Sequence, residues 1–270
     1  MLLSACGAAA APGTDAPAST GELTLDNCTT TISAEVPEPY RSLFRCVEMS
    51  IENGTDLVIS STGLPPHKSY YYGSARPNYI GWDARGGAYH ANPNTLKRSS
   101  TTIVVPLTPT SRSLTIDAAL IDGVNGTSGS EYRGGPVGIA LDSVLLFNAL
   151  AAPGDDIAQE QYTFDPYNAH PAPMGEYHYH GASPGPLEVL ARETNTAEIY
   201  GLMCDGTLIL GCTELDASTP DQTDLDAQNG HTHDLASIGA RYHIHICPTW
   251  PAHPRPYTPE IQAYNRCTIR

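Results

Sequence analysis

The sequence predicts an all-β protein, sandwich-like or barrel-like, with long loops and an internally duplicated unit. Short runs rich in Val, Ile, Thr and Leu alternate with Gly, Pro, Asn and Asp turn signals through most of the chain. No segment sustains the apolar period of a long helix. Three landmarks also recur in one order at nearly one spacing. Gly138-Ile139-Ala140-Leu141-Asp142 returns 63 residues later as Gly201-Leu202-Met203-Cys204-Asp205. Asp165-Pro166-Tyr167-Asn168-Ala169-His170 returns 61 later as Asp226-Ala227-Gln228-Asn229-Gly230-His231. Tyr177-His178-Tyr179-His180 returns 65 later as Tyr242-His243-Ile244-His245. Two units, about 134–181 and 198–246, are expected to meet at a pseudo-twofold axis and bury a shared face.

The chain begins with Leu3-Ser4-Ala5-Cys6, which matches the bacterial lipobox, with Cys6 as the lipidated residue. Only five residues precede that cysteine, fewer than a signal peptide needs, so most of a signal is expected to be missing. Ala, Pro, Gly, Ser and Thr then run to about Ser19 as a flexible tether. Residues 21–270 are read as one β domain. Within it Leu57–Ser60, Thr101–Val105 and Ser113–Asp117 read as strands, with Asn53-Gly54 as a hairpin turn. Leu64 to Ser99 is a long irregular stretch carrying His67, His90 and Tyr70-Tyr71-Tyr72, a patch suited to stacking on sugar or to an interface. Pro136–Asp142 with Val144–Phe147 reads as one buried hairpin. Asp205-Gly206 turns its counterpart, and Asp142 and Asp205 are assigned to the turns. Leu187–Arg192 is the one short helix expected.

Six cysteines follow Cys6, an even number that suits three disulfides outside the cytoplasm. Local pairs, 28 with 46, 204 with 212 and 247 with 267, are the expectation. No Cys-x-x-Cys spacing supports a thiolate metal site. The net charge of −15 argues against nucleic acid and anionic membrane surfaces as partners. Membrane association is expected only through a lipid anchor at Cys6, which places the protein in the bacterial cell envelope. A protein partner is not legible.

The chemistry lies in the paired His-x-His segments. In a strand, residues two apart share a face, so His178 with His180 and His243 with His245 each present two imidazoles to one side. Tyr177, Tyr179 and Tyr242 then face the other side, as packing. Imidazole binds zinc, copper and related ions. Folding that joins both pairs at one point would create a four-nitrogen site. His170 and His231 could complete it, form a second site or pack in turns. Asp165 and Asp226 could accept the spare ring N–H of a ligating His or stabilise Asx turns. His233 is a further candidate in a Gly-containing loop, whereas His253, between prolines, is expected in solvent. Neutral nitrogens without clustered carboxylates favour copper or zinc over calcium or magnesium, and copper leads on affinity.

Gly63 through His67, Gly138 through Asp142, Thr163 through Pro171, Gly175 through Gly181, Cys204-Asp205-Gly206, Leu225 through His233 and the second His pair together resemble the YHYH-domain family. Its members are mostly secreted bacterial proteins. The resemblance runs from about residue 50 to the C-terminus and implies a β-rich extracytoplasmic domain. Ile244 departs from the pattern where the second motif often has Tyr, on the face away from the ligands.

Three functions follow. The first is a metal-binding lipoprotein that sequesters or delivers copper or zinc. The second is a metal-dependent hydrolase or oxidoreductase using the same histidines. The third is an adhesion or glycan-binding module with structural histidines. No His-Glu-x-x-His or phosphate-cradling loop supports a further enzyme class.

Overall fold

Among the described residues of the computed structural model, thirteen strands form two open sheets. Those residues are 21–81, 88–109, 135–147, 157–192, 199–226, 229–235, 238–247 and 268–270. The expected tether with Cys6, the strand at Ser113–Asp117, His253 and Cys267 lie outside them.

The smaller sheet runs in the order β1 (Thr31–Ile32), β2 (Val47–Glu52), β3 (Asp56–Ser61), β4 (Thr101–Pro106), β13 (Thr268–Ile269). Asn53 and Gly54 both have positive φ, 54° and 73°, and close the β2–β3 hairpin. β3 and β4 alternate buried and half-buried residues, the two-residue period of strands with one face on a core.

The larger sheet holds the duplication. Its first unit supplies β5 (Pro136–Ala140), β6 (Leu145–Phe147), β7 (Ala169–Pro171) and β8 (Tyr177–Tyr179). The second supplies β9 (Ile199–Met203), β10 (Leu208–Leu210), β11 (Gly230–Leu235) and β12 (Gly239–His245). The order β11-β12-β10-β9-β5-β6-β8-β7 reads the same from either end once equivalent strands are matched. The centre is the antiparallel pair β5–β9, where Gly138 faces Met203, Ile139 faces Leu202 and Ala140 faces Gly201.

Local bonding repeats as faithfully. Asp165 N–H donates to Ala169 O and Asp226 N–H to Gly230 O, both at 2.9 Å. Asn168 and Asn229 each have φ 57° and accept at their carbonyls from His180 N–H and His245 N–H. Asn tolerates this left-handed conformation better than most residues. Tyr177 and Tyr242 each donate their hydroxyl to the Asp of their own unit, at 2.6 and 2.8 Å.

Glycine is required where the two units cross. A Cβ on Gly138 would lie 2.6 Å from Leu202 O, and one on Gly201 would lie 2.5 Å from Ile139 O. Both obstacles are backbone of the neighbouring central strand, so neither can swing aside. Gly201→Ala is expected to lower stability by about 2–4 kcal/mol, read as a shift in urea midpoint. An unchanged midpoint would contradict this packing.

The inner face of the larger sheet packs on the smaller one. Met49, Leu57, Ile59, Ile103 and Val105 share one core with Ile139, Leu145, Leu202, Leu208 and Leu210. The fold is therefore a sandwich, and neither sheet closes into a barrel. The outer face carries Val137, Leu146, Tyr177, Tyr179, Tyr200, Ile209 and Ile244. The Leu64–Ser99 stretch lies against it through Tyr70, Tyr71 and Leu96. Tyr71 and Tyr72 are buried, so they are core residues, not a sugar-stacking surface. The expected helix spans Pro184–Arg192, beginning three residues before Leu187.

Disulfide pairing differs from the local scheme. Cys28 joins Cys46 as expected. Cys212, however, joins Cys247 across 35 residues, which overturns the expected 204–212 and 247–267 pairs. Cys204 is also disulfide-bonded. Local proximity in sequence is a poor guide here, because parallel β10 and β12 run side by side and their ends meet.

Candidate metal centres

The strand alternation that buries the tyrosines outward turns the histidines inward. Tyr242 and Ile244 join the outer-face core while His243 and His245 pair with Leu208 and Leu210 of β10 on the inner face. His178 likewise pairs with Leu145 of β6. Two separate clusters result: His170 with His178 and His180, and His231 with His243, His245 and Glu214. The donor atoms of each lie within 4.8 Å of one another.

The two His-x-His pairs do not share one ion. Five strand steps separate β8 from β12 in the sheet order, roughly 24 Å along the sheet. Duplication therefore yields two sites, because the pseudo-twofold axis passes through β5 and β9, far from either His pair. The axis-related joining expected from sequence would need the His strands at the centre of the sheet. They lie one strand in from its two edges instead.

In the first centre, backbone and side-chain acceptors set the tautomers. His178 Nδ1–H donates to Glu176 O at 3.0 Å, which leaves Nε2 unprotonated, as an acceptor. Thr163 gives its hydroxyl proton to Glu160 O at 2.8 Å and so accepts from His170 Nδ1–H at 2.5 Å. His170 Nε2 is then also unprotonated. His178 Nε2 and His180 Nε2 face each other at 2.8 Å. Phe147 stacks on His178 with centroids 3.7 Å apart, and Phe164 on His180 at 5.1 Å. All three histidines are buried. Burial holds His170 down at about 3 and His178 well below the usual imidazole range, with neighbouring imidazoles adding to the effect.

The second centre follows the same logic and adds a carboxylate. His243 Nδ1–H donates to Arg241 O and His245 Nδ1–H to Gly211 O, both at 3.0 Å. Their Nε2 lone pairs point at Glu214, 3.1 Å from Oε2 and 3.4 Å from Oε1 respectively. His231 Nε2 stands 2.7 Å from Glu214 Oε1, 3.0 Å from His243 Nε2 and 3.4 Å from His245 Nε2. His231 Nε2 brings at most one proton to a set of acceptors that otherwise repel one another. A cation resolves this. Tetrahedral nitrogens about 2.0–2.1 Å from an ion lie roughly 3.3 Å apart, so these donors need move only tenths of an ångström. Burial lowers His243 to about 4.

Glu214 was not legible as a ligand. It is buried, and its loop is held by Glu214 N–H donating to Ser218 O and by Ala217 in the left-handed region. The Cys212–Cys247 bond stands two residues from Glu214 on one side and two from His245 on the other. Knowing that pairing would have brought the carboxylate to the histidines. Local pairing concealed it.

Other candidates fall elsewhere. Asp165 accepts from Ser69, Tyr177 and Tyr167 N–H, and Asp226 from Tyr242 and Gly230 N–H. For His170 the Nδ1 partner is Thr163, and for His178, His243 and His245 it is a main-chain carbonyl. His233 is largely exposed, with Nδ1 3.7 Å from Glu214 Oε2, at the rim of the second centre. His67 stacks on Tyr167 and bonds Tyr179, outside both clusters, and His90 is exposed. Asp142 and Asp205 serve the hairpin turns, where Asp205 Oδ1 accepts from Thr207 N–H at 2.8 Å. Asp142 also accepts from the Tyr179 hydroxyl at 2.6 Å, and burial raises its carboxyl to about 7.

An open pocket of about 710 Å³ lies over the second centre, lined by Glu214, Asp221, Asp224, Asp226, His231 and His233 among others. No described helix is long and apolar enough to cross a membrane. Residues 102–224 match the family described as YHYH protein. The matched span is shorter than the resemblance from about residue 50 onward, and it ends before His231, His243 and His245. No curated protein and no solved structure matches the chain.

Proposed function

We propose that this chain, through the stretch that matches the YHYH protein family and the strands that follow it, is an extracytoplasmic metal-binding protein that holds two transition-metal ions for sequestration or delivery. The observation that carries this reading is the convergence of unprotonated Nε2 atoms on Glu214 and on each other, with each Nδ1 of His170, His178, His243 and His245 committed elsewhere. Copper leads over zinc, because nitrogen donors and the first-row affinity order both favour it. A lipid on Cys6 would anchor the protein to the bacterial envelope. The acidic chain, at −15, has no use for nucleic acid as a partner.

Metal analysis of the full chain, purified without a His tag and titrated with copper and zinc, tests this. Two equivalents are expected, one for each cluster. Less than about a tenth of an equivalent bound at saturation would sink the reading and favour structural histidines.

A second reading has one observation in its favour, the pocket over Glu214 and His231. An ion there with a position open to that pocket would activate water, as hydrolytic metal centres do.

A further inference from the structure

We infer that the two centres are sorted by charge: His170, His178 and His180 take a monovalent copper ion, and Glu214, His231, His243 and His245 take a divalent one. This rests on the metal-binding reading and names the cargo of each centre. The units supply the same three imidazoles from equivalent strands, so the difference lies in what accompanies them. In the second unit Glu214 brings a carboxylate within 2.7–3.4 Å of all three Nε2 atoms. Among the described residues no carboxylate belongs to the close donor group of the first trio. Glu160 stands 3.6 Å from His170 Nε2 but is not part of the close donor group.

The surroundings differ in the same sense. Phe147 and Phe164 stack on the first centre, and Phe164 also meets His170 edge-on at 5.1 Å. The second centre opens to a pocket with Asp221, Asp224 and Asp226 on its walls. The cost of placing an ion in a low-dielectric site grows as the square of its net charge. A divalent ion on three neutral imidazoles leaves two charges among aromatic rings, whereas a monovalent ion leaves one. A divalent ion on three imidazoles and a carboxylate also leaves one. Both centres therefore reach the same net charge with different ions. Monovalent copper is stable with three nitrogens, and zinc takes a fourth ligand, which among the described residues the second centre holds in its close donor group as Glu214.

The test uses full-length, untagged protein and two probes: Cu(I) under anaerobic competition with a chromophoric chelator, and Co(II) as an optical reporter of a four-coordinate divalent site. Wild type is expected to bind one tight Cu(I) and one Co(II) together. Glu214→Gln should weaken Co(II) by more than about tenfold and leave the tight Cu(I) unchanged, which also shows that the variant is folded. His178→Ala with His180→Ala should remove the tight Cu(I) and leave the Co(II) spectrum intact. The inference is overturned if Glu214→Gln leaves Co(II) affinity unchanged, or if the double variant loses Co(II). It is equally overturned if both centres prefer the same ion. In each of those outcomes metal still binds, so the broader reading survives; that reading fails only if wild type binds neither probe.

Discussion

Replacing His178 and His180 together with alanine is expected to remove one bound ion of two and leave the other in place. The remaining ion sits on the far flank of the larger sheet, on β11, β12 and the Glu214 loop, and shares no donor with the first. His243→Ala with His245→Ala should remove the complementary ion. A four-donor structural zinc site contributes about 10–16 kcal/mol, or about 2.5–4 per donor. Loss of two donors then costs about 5–8 kcal/mol, a factor of at least ~10³ in affinity. Equilibrium dialysis with metal analysis reads the stoichiometry directly. If either double variant loses both ions, the two half-sites form one centre and the sheet order is wrong.

Metal-free protein is expected to lose stability steeply in mild acid. Burial holds His67 and His170 at about 3, His243 at about 4 and His178 well below 6.5. The unfolded chain protonates these four near pH 6.5, while the folded chain stays neutral there. Their stabilising contribution is therefore present above pH 6.5 and is lost as the pH falls towards 4. Asp142 and Asp165 act oppositely. Burial raises them to about 7 and about 6, so the folded state keeps two protons that the unfolded state releases above pH 3.8. Between about pH 6 and 4 the unfolded state thus holds about two more protons, worth roughly 3 kcal/mol per pH unit. Two pH units amount to about 5–6 kcal/mol, comparable with the whole stability of an ordinary domain. Urea midpoints at pH 7, 6, 5 and 4.5 should fall accordingly. A midpoint that is flat or rises on acidification would contradict the buried neutral imidazoles.

Much of this was written in the residue pattern. The two-residue alternation of Tyr177-His178-Tyr179-His180 determined that tyrosines and imidazoles face opposite ways, because a pleated strand allows nothing else. The Gly-x-x-x-Asp hairpins and the Asp-x-x-Asn-x-His turns repeat because each is closed by its own local bonds. Ile244 keeps its outward place in the second unit for the same reason, as an apolar neighbour in the outer core. The long stretch from Leu64 was readable as irregular, but its burial against Tyr177 and Asp165 was not. Those contacts join residues about a hundred apart, and no local spacing reports them.

Sequence alone determined that the chain is a duplicated β protein carrying paired imidazoles, since strand alternation and turn closure act between near neighbours. Only the tertiary structure decided how many centres those imidazoles make. Strand order is settled by which faces pack and which edges pair. Here it puts Gly138 and Gly201 at the axis and the histidines on the two flanks. It also sets Glu214 beside one trio alone, through a Cys212–Cys247 bond that spans strands adjacent in space and distant in the chain.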